Sequence, residues 1–280
     1  MSMTSDTWNG LVARAYQRRT GIGAFNVVLL EHAEAIVAGA EQAGLPVILQ
    51  ISENCVKYHG SLAPILTATL EVAAASSVPA QVHLDHIEDP DMVRRGVELG
   101  VTSVMFDASK LGYDENVAAT RSMSEFCHAN GVSIEAELGE VGGKDGVHAP
   151  GVRTDPTDAA AFVSATRVDA LAVAVGTSHA MTDRSASVDL ALIRALSTVL
   201  DVPLVLHGSS GLPDAEIRGA VVAGMTKINI STHLNGLFTR AVREEILAHP
   251  DKTDPRAYIR AGRDAMAPET AHLLKLIAGA

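Results

Sequence analysis

Six places in this 280-residue chain put an acid, an imidazole or a carboxamide at or just beyond the end of a short apolar run. Val82-His83-Leu84 leads to Asp85-His86, Ser103–Phe106 leads to Asp107, and Pro203–Leu206 leads to His207. Glu135 and Glu137 close Val132–Glu137, Asn229 lies in Lys227–Ile230, and His179 follows Ala170–Val175 through Gly176-Thr177-Ser178. Such groups are costly to bury unless they are paired or bound to something. Three imidazoles from three different runs, His86, His179 and His207, suit Zn²⁺, because three protein ligands leave a coordination position open for a substrate. Three separately hydrogen-bonded histidines are the plainer alternative. The other eight of the 11 histidines have weaker claims, and His83, inside its run, reads as structural.

A second signal lies near the C-terminal end of this series. His207-Gly208-Ser209-Ser210-Gly211 and Asn229-Ile230-Ser231-Thr232 follow apolar runs and lead into helices. Small residues there let backbone N–H groups approach an anion at a helix N-terminus, as phosphate sites require. A flexible connection is the alternative for the Gly-Ser-Ser-Gly turn.

The elements that must position these residues alternate along the whole chain. Strand-like runs at Ile22–Val27, Pro46–Ile51, Ala80–Leu84, Ser103–Phe106, Val132–Glu137, Ala170–Val175, Pro203–Leu206 and Lys227–Ile230 are separated by helical patterns. Those patterns cover Glu31–Gln42, Ser61–Ser76, Asp91–Leu99, Asp114–Ala129, Thr157–Thr166, Asp189–Leu200, Pro213–Ala223 and Thr232–Ala248. Eight βα units with no linker predict a parallel sheet closed into a (β/α)₈ TIM barrel, one domain over residues 1–280. The barrel core is placed at 20–248 and a C-terminal helical segment at 254–278. A doubly wound open sheet is the runner-up, without a Gly-x-Gly-x-x-Gly turn to support it. Every candidate residue then falls at the carboxyl end of a strand, where barrel enzymes build their sites. The Gly-rich stretch Gly139–Gly151 reads as a loop over that end.

Composition narrows the class. Hydrophobic residues make up 47% but aromatics only 4%, so the core must be Ala, Val, Leu and Ile, as in helix-covered parallel strands. A net charge of -11 argues against nucleic acid or an anionic membrane as a general partner. Two cysteines, Cys55 and Cys127, in no metal-like spacing fit free thiols in a reducing cytoplasm. No apolar run is long enough to span a bilayer, and Met1–Gly10 lacks a signal-type apolar core.

The motifs His83-Leu84-Asp85-His86, Ser103-Val104-Met105-Phe106-Asp107, Glu135-Ala136-Glu137-Leu138-Gly139, Gly176-Thr177-Ser178-His179, His207–Gly211 and Lys227-Ile228-Asn229-Ile230, in this order, resemble those of the class II, zinc-dependent fructose- and tagatose-bisphosphate aldolases. Ala24-Phe25-Asn26 and Pro46–Ser52 match the opening of that family. The resemblance implies that His86, His179 and His207 hold a catalytic zinc, and that Asp107 and Glu137 mark a second or displaced metal position. It implies that Asp85 exchanges a proton with the aldehyde oxygen or C4 hydroxyl. It places Gly208, Ser210, Asn229 and Thr232, with the neighbouring Ser209 and Ser231 and with Ala180, around a phosphate, with Na⁺ or K⁺ nearby, and lines the substrate channel with Asn26 and Ser52. The implied substrate is a phosphorylated ketose yielding dihydroxyacetone phosphate, and the implied assembly is a homodimer or homotetramer. In that assembly a partner's arginine reaches the distal phosphate, with Arg256, Arg260 and Arg263 as candidates.

Three departures from the pattern are visible. Ala180 follows His179 where Gly is usual, and Arg184 stands near the position of a usual Lys. The loop that usually offers a Glu as carbon base reads Gly142-Gly143-Lys144-Asp145-Gly146, leaving Asp145, with Glu140 as fallback. Ser231 replaces an Asp or Ala. These departures keep a second reading open, a barrel that binds metal and sugar phosphate as a sensor or scaffold. A zinc hydrolase ranks behind both, because Gly21–Val27 has no His-x-His pair.

Overall fold

Eight short strands pair in sequence order and close on themselves, all parallel. They are β1 (Ile22–Asn26), β2 (Val47–Ser52), β3 (Ala80–Ile87), β4 (Ser103–Phe106), β5 (Ser133–Leu138), β6 (Ala170–Val173), β7 (Leu204–Leu206) and β8 (Met225–Ile230). A computed structural model describes residues 10–138, 153–177, 181 and 183–279. Pairing of Ile22 with Lys227 and Ala24 with Asn229 joins β8 back to β1. The expected (β/α)₈ barrel is therefore the fold.

Around it run the helices α1 (Leu11–Arg18), α2 (Leu30–Ala43), α3 (Glu53–His59), α4 (Leu62–Ala74), α5 (Pro90–Glu98), α6 (Tyr113–Ala129) and α7 (Pro156–Thr166). The series continues with α8 (Leu190–Val199), α9 (Asp214–Ala223), α10 (Thr232–Ala248) and α11 (Pro255–Ala278). Asp89, Asp155, Asp189 and Asp254 cap α5, α7, α8 and α11 by accepting hydrogen bonds from first-turn N–H groups. Two helices exceed the sequence expectation. α1 is short and amphipathic, and its Leu11, Val12 and Ala15 pack under the barrel against Ile22, Ala24 and Ile48. α3 is a short helix after β2, started by Ser52 Oγ accepting from the N–H of Cys55 at 3.2 Å. Cys55 and Cys127 are free and buried, and burial pushes their thiols up to about 11 and about 12. Among the described residues no helix is long and apolar enough to cross a membrane.

Strand parity divides the side chains. Leu84, Val104, Ile134, Ala136, Leu171, Leu206 and Ile228 join the large apolar layer between strands and helices. Residues of opposite parity fill the barrel: Met105, Ala170, Ala172 and Val205 form a small apolar cluster there. The C-terminal helix α11 closes the outer layer against α2. Gly39 of α2 permits the close approach, since a Cβ there would lie 2.5 Å from the carbonyl oxygen of Ala267.

Candidate active site

Inward parity puts one polar residue of each pair in the middle of the barrel and the next at its carboxyl-end mouth. His83 and Asp85, Glu135 and Glu137, and Lys227 and Asn229 are three such pairs, all buried. β3 breaks the rule at one point. Its pairing with β4 advances from Leu84–Val104 to Ile87–Phe106, three residues on β3 against two on β4. This bulge places His86 at a φ of 50°, a left-handed conformation uncommon outside glycine. Adjacent residues in a regular strand face opposite ways. The bulge instead lets Asp85 and His86 serve one site, and β3 runs on to Ile87 rather than ending at Leu84.

The mouth is densely connected. Donor atoms of Asp85, His86 and His207 lie within 4.8 Å of one another, and so do those of His86, Asp107 and Glu137. The His86 and His207 rings meet edge to face at 4.5 Å. His86 Nδ1 lies 2.7 Å from Asp107 Oδ2, while Asp107 Oδ1 accepts from the N–H and hydroxyl of Ser109. His207 is fully buried between two carboxylates, with Nε2 3.1 Å from Glu135 Oε1 and Nδ1 3.1 Å from Glu137 Oε2. Glu135 in turn receives Lys227 Nζ at 2.7 Å. Asp85 is held by two carboxamides, Asn26 Nδ2 at 2.9 Å and Asn229 Nδ2 at 3.5 Å, and Gln50 Nε2 braces Asn26 at 3.3 Å.

Electrostatics at the mouth call for a cation. Asp85, Asp107, Glu135 and Glu137 are four buried acids, and among the described residues Lys227 is the one buried lysine beside them. Burial raises the cost of ionising Asp85, but His86, Lys227, His207 and His83 outweigh it and hold its carboxyl well below the usual range. Burial likewise opposes charging His207, yet Glu135 and Glu137 push it up to about 9. A divalent ion would balance the excess carboxylate there. Two imidazoles and several carboxylates converging on one point are a donor set of the kind zinc accepts. Among the described residues the buried acceptors Gln50 Oε1 and Asn229 Oδ1 have no partner, which suits a site built for a polar ligand.

The phosphate-type loops meet across the β7–β8 edge. Gly208 adopts a φ of 69°, Ser209–Gly211 forms one 3₁₀ turn, and Ser210 Oγ accepts from the N–H of Ser231 at 3.2 Å. Ser209 Oγ donates to the Leu206 carbonyl, and Thr232 opens α10 beside them. Thr177 Oγ1 donates to the His207 carbonyl at 2.6 Å, tying the β6 loop to β7.

Some candidates are engaged otherwise than the sequence implied. Ser52 sits opposite Asp85 in the β2–β3 register, but its Oγ is the acceptor of the α3 cap. Arg184 donates to the Leu212 carbonyl and Asp214 Oδ1, both at 2.6 Å, so its charge is matched within the chain even though it shares an open groove with Thr232. Arg256 pairs with Asp254, and Arg263 with Glu34 and Asp264. His179 and Ala180, and the loop with Glu140 and Asp145, lie outside the described residues. Sequence reasoning missed Gln50, whose signal was a carboxamide inside the apolar run Val47–Ile51. A cavity of about 490 Å³ opens at the opposite end of the barrel beneath α1, away from the converging donors.

The sequence profile described as Fructose-bisphosphate aldolase class-II matches residues 6–280. The crystal structure of the YdjI aldolase from Escherichia coli K12 is 30% identical over 98% of this chain and 97% of that one, with a TM-score of 0.84. A Coccidioides immitis protein assigned as a fructose-1,6-bisphosphate aldolase is 26% identical over 98% and 97% of the two chains, with a TM-score of 0.87. Fructose-bisphosphate aldolase from Campylobacter jejuni, 24% identical over 96% of this chain and 93% of that one with a TM-score of 0.76, shares the fold. With the profile match spanning nearly every residue, this chain belongs to the class II fructose-bisphosphate aldolase family.

Proposed function

We propose that the protein is a zinc-dependent aldolase that reversibly cleaves a phosphorylated ketose to dihydroxyacetone phosphate and an aldehyde. The substrate class is a fructose- or tagatose-1,6-bisphosphate, or a ketose 1-phosphate. The observation that carries this reading is the convergence of Asp85, His86 and His207 donor atoms within 4.8 Å at the mouth of an aldolase-family barrel. His86 and His207, with His179 from the β6 loop, are the proposed zinc ligands, and Asp107 and Glu137 the acids of a second metal position. Bound zinc would supply Lewis-acid stabilisation of the negative charge that cleavage leaves beside the ketone.

The chain's own residues do the rest. Asp85, an acceptor kept ionised by its surroundings, takes the proton of the C4 hydroxyl in cleavage and returns it in condensation. Asn26 and Asn229 hold its two oxygens, which fixes the direction of that transfer. Backbone N–H groups around Gly208–Ser210 and at the start of α10, with Asn229, Ser231 and Thr232, take the phosphate, with a monovalent cation nearby. Asp145 is the proposed carbon base, with Glu140 second. A cytoplasmic homodimer or homotetramer belongs to the same reading. Arg256, Arg260 and Arg263 are the candidates to reach a partner's distal phosphate, Arg256 and Arg263 also being paired within their own chain.

Triose release from a panel of phosphorylated ketoses, followed by a coupled assay with zinc added and removed, tests the proposal. Turnover should vanish with a chelator, return with zinc and fall about 10²–10⁴-fold in Asp85→Asn with the fold intact. Borohydride with substrate should leave the enzyme active. Turnover that survives thorough metal removal would sink the zinc reading. A chain that binds zinc and sugar phosphate without turnover would favour the sensor.

A further inference from the structure

A histidine can meet a metal through either ring nitrogen, and the partner of the other nitrogen decides which. We propose that Glu135, clamped by Lys227, is a positioning residue that engages Nε2 of His207 and so reserves Nδ1 for the metal. The inference rests on the zinc reading above and goes beyond it, by assigning work to buried residues that touch neither metal nor substrate.

The geometry runs through four strands. Lys227 Nζ of β8 donates to Glu135 Oε2 of β5 at 2.7 Å and to His83 Nε2 of β3 at 3.2 Å. Because Nε2 of His83 accepts there, its proton is on Nδ1, which donates to Ser103 Oγ of β4 at 2.7 Å. Burial pushes His83 down to about 3, in keeping with that neutral tautomer. One Glu135 oxygen is thereby fixed, and the other, Oε1, lies 3.1 Å from His207 Nε2. All of these side chains are buried, Glu135 at 3% exposure, so its carboxylate is held mainly by protein donors. The remaining nitrogen of His207, Nδ1, lies 3.1 Å from Glu137 Oε2, one of the acids gathered with His86. An anionic acceptor on the far nitrogen also makes the imidazole a more basic ligand. A Lys–Glu pair serving stability alone would need no contact with His207.

The test uses the zinc-loaded full-length protein labelled with ¹⁵N in its histidines. A long-range ¹H–¹⁵N correlation spectrum, with His207 assigned by the signal lost in His207→Gln, should show its proton on Nε2 and none on Nδ1. A proton on Nδ1 with the metal on Nε2 overturns the proposal. Glu135→Gln and the double variant Glu135→Gln/Lys227→Met, which removes the stranded lysine charge, provide a second measurement. Zinc affinity by chelator competition should fall about 10–100-fold in both, with shifted visible bands in the cobalt-substituted proteins. Wild-type affinity and unchanged cobalt bands in both variants would overturn the proposal. Should neither variant fold, the wild-type spectrum decides alone. If the wild-type protein binds no zinc, it is the proposed function that fails, and this inference goes with it.

Discussion

The left-handed backbone at His86 makes a prediction whose sign is unusual. In an ordinary strand, glycine is less stable than alanine by about 0.5–1 kcal/mol, because it loses more backbone freedom on folding. At a φ of 50° the balance reverses, since a side chain bearing Cβ pays about 1–2 kcal/mol to sit there and glycine does not. Both His86→Gly and His86→Ala lose the 2.7 Å contact with Asp107, so that loss cancels between them. The difference left over favours His86→Gly by about 0.5–1 kcal/mol, or roughly 2 °C in melting temperature for a chain of this size. Denaturant titration and thermal unfolding of the two variants, in excess chelator and at one protein concentration, measure it. Both should also lose zinc equally. If His86→Ala proves as stable as His86→Gly or more so, the bulge is wrong, and with it the account of how neighbouring Asp85 and His86 reach one site.

Two further expectations concern the scaffold. Gly39→Ala should destabilise the docking of α11 on α2, because the new Cβ would lie 2.5 Å from the Ala267 carbonyl oxygen and 2.6 Å from Thr270 Cβ. Overpacking of about 1–3 kcal/mol exceeds the roughly 1 kcal/mol gained in helix propensity, so thermal unfolding should move down, and an unchanged or higher midpoint would count against this packing. His32 is stacked on Phe238 at 4.7 Å, and burial pushes it from 6.5 down to about 4. Its folded value lies below its unfolded one, so its stabilisation is present above pH 6.5 and is lost as pH falls toward 4, by at most about 3 kcal/mol. His32→Phe should flatten the stability–pH profile across that window; an unaltered slope would refute the assignment.

Much of the architecture was legible in the sequence because it follows from local periodicity. Short apolar runs alternating with helical patterns imply a parallel sheet, and eight of them imply closure. The helices beyond that expectation are the two shortest. α1 has eight residues and lies ahead of the first strand, and α3 has only seven, started by the Ser52 cap. Candidate site residues were legible for a related reason. Polar side chains at the ends of buried strands stand out against the apolar runs that carry them, whereas Gln50, one carboxamide within such a run, did not.

What the sequence determined by itself is therefore the inventory and the end of the barrel at which it gathers, since both depend on residue type and strand parity. Only the tertiary structure decided the pairings. Lys227 and Glu135 are 92 positions apart, and nothing local in either strand announces that they meet at 2.7 Å or that Glu135 then reaches His207. Arg184 turned out to be matched by Asp214, 30 positions away. The bulge that turns His86 toward Asp85's side is likewise a property of β3 against β4, because register exists only between two strands. Closing the barrel brings distant strands into contact, and with that contact comes the choice of which acid faces which base.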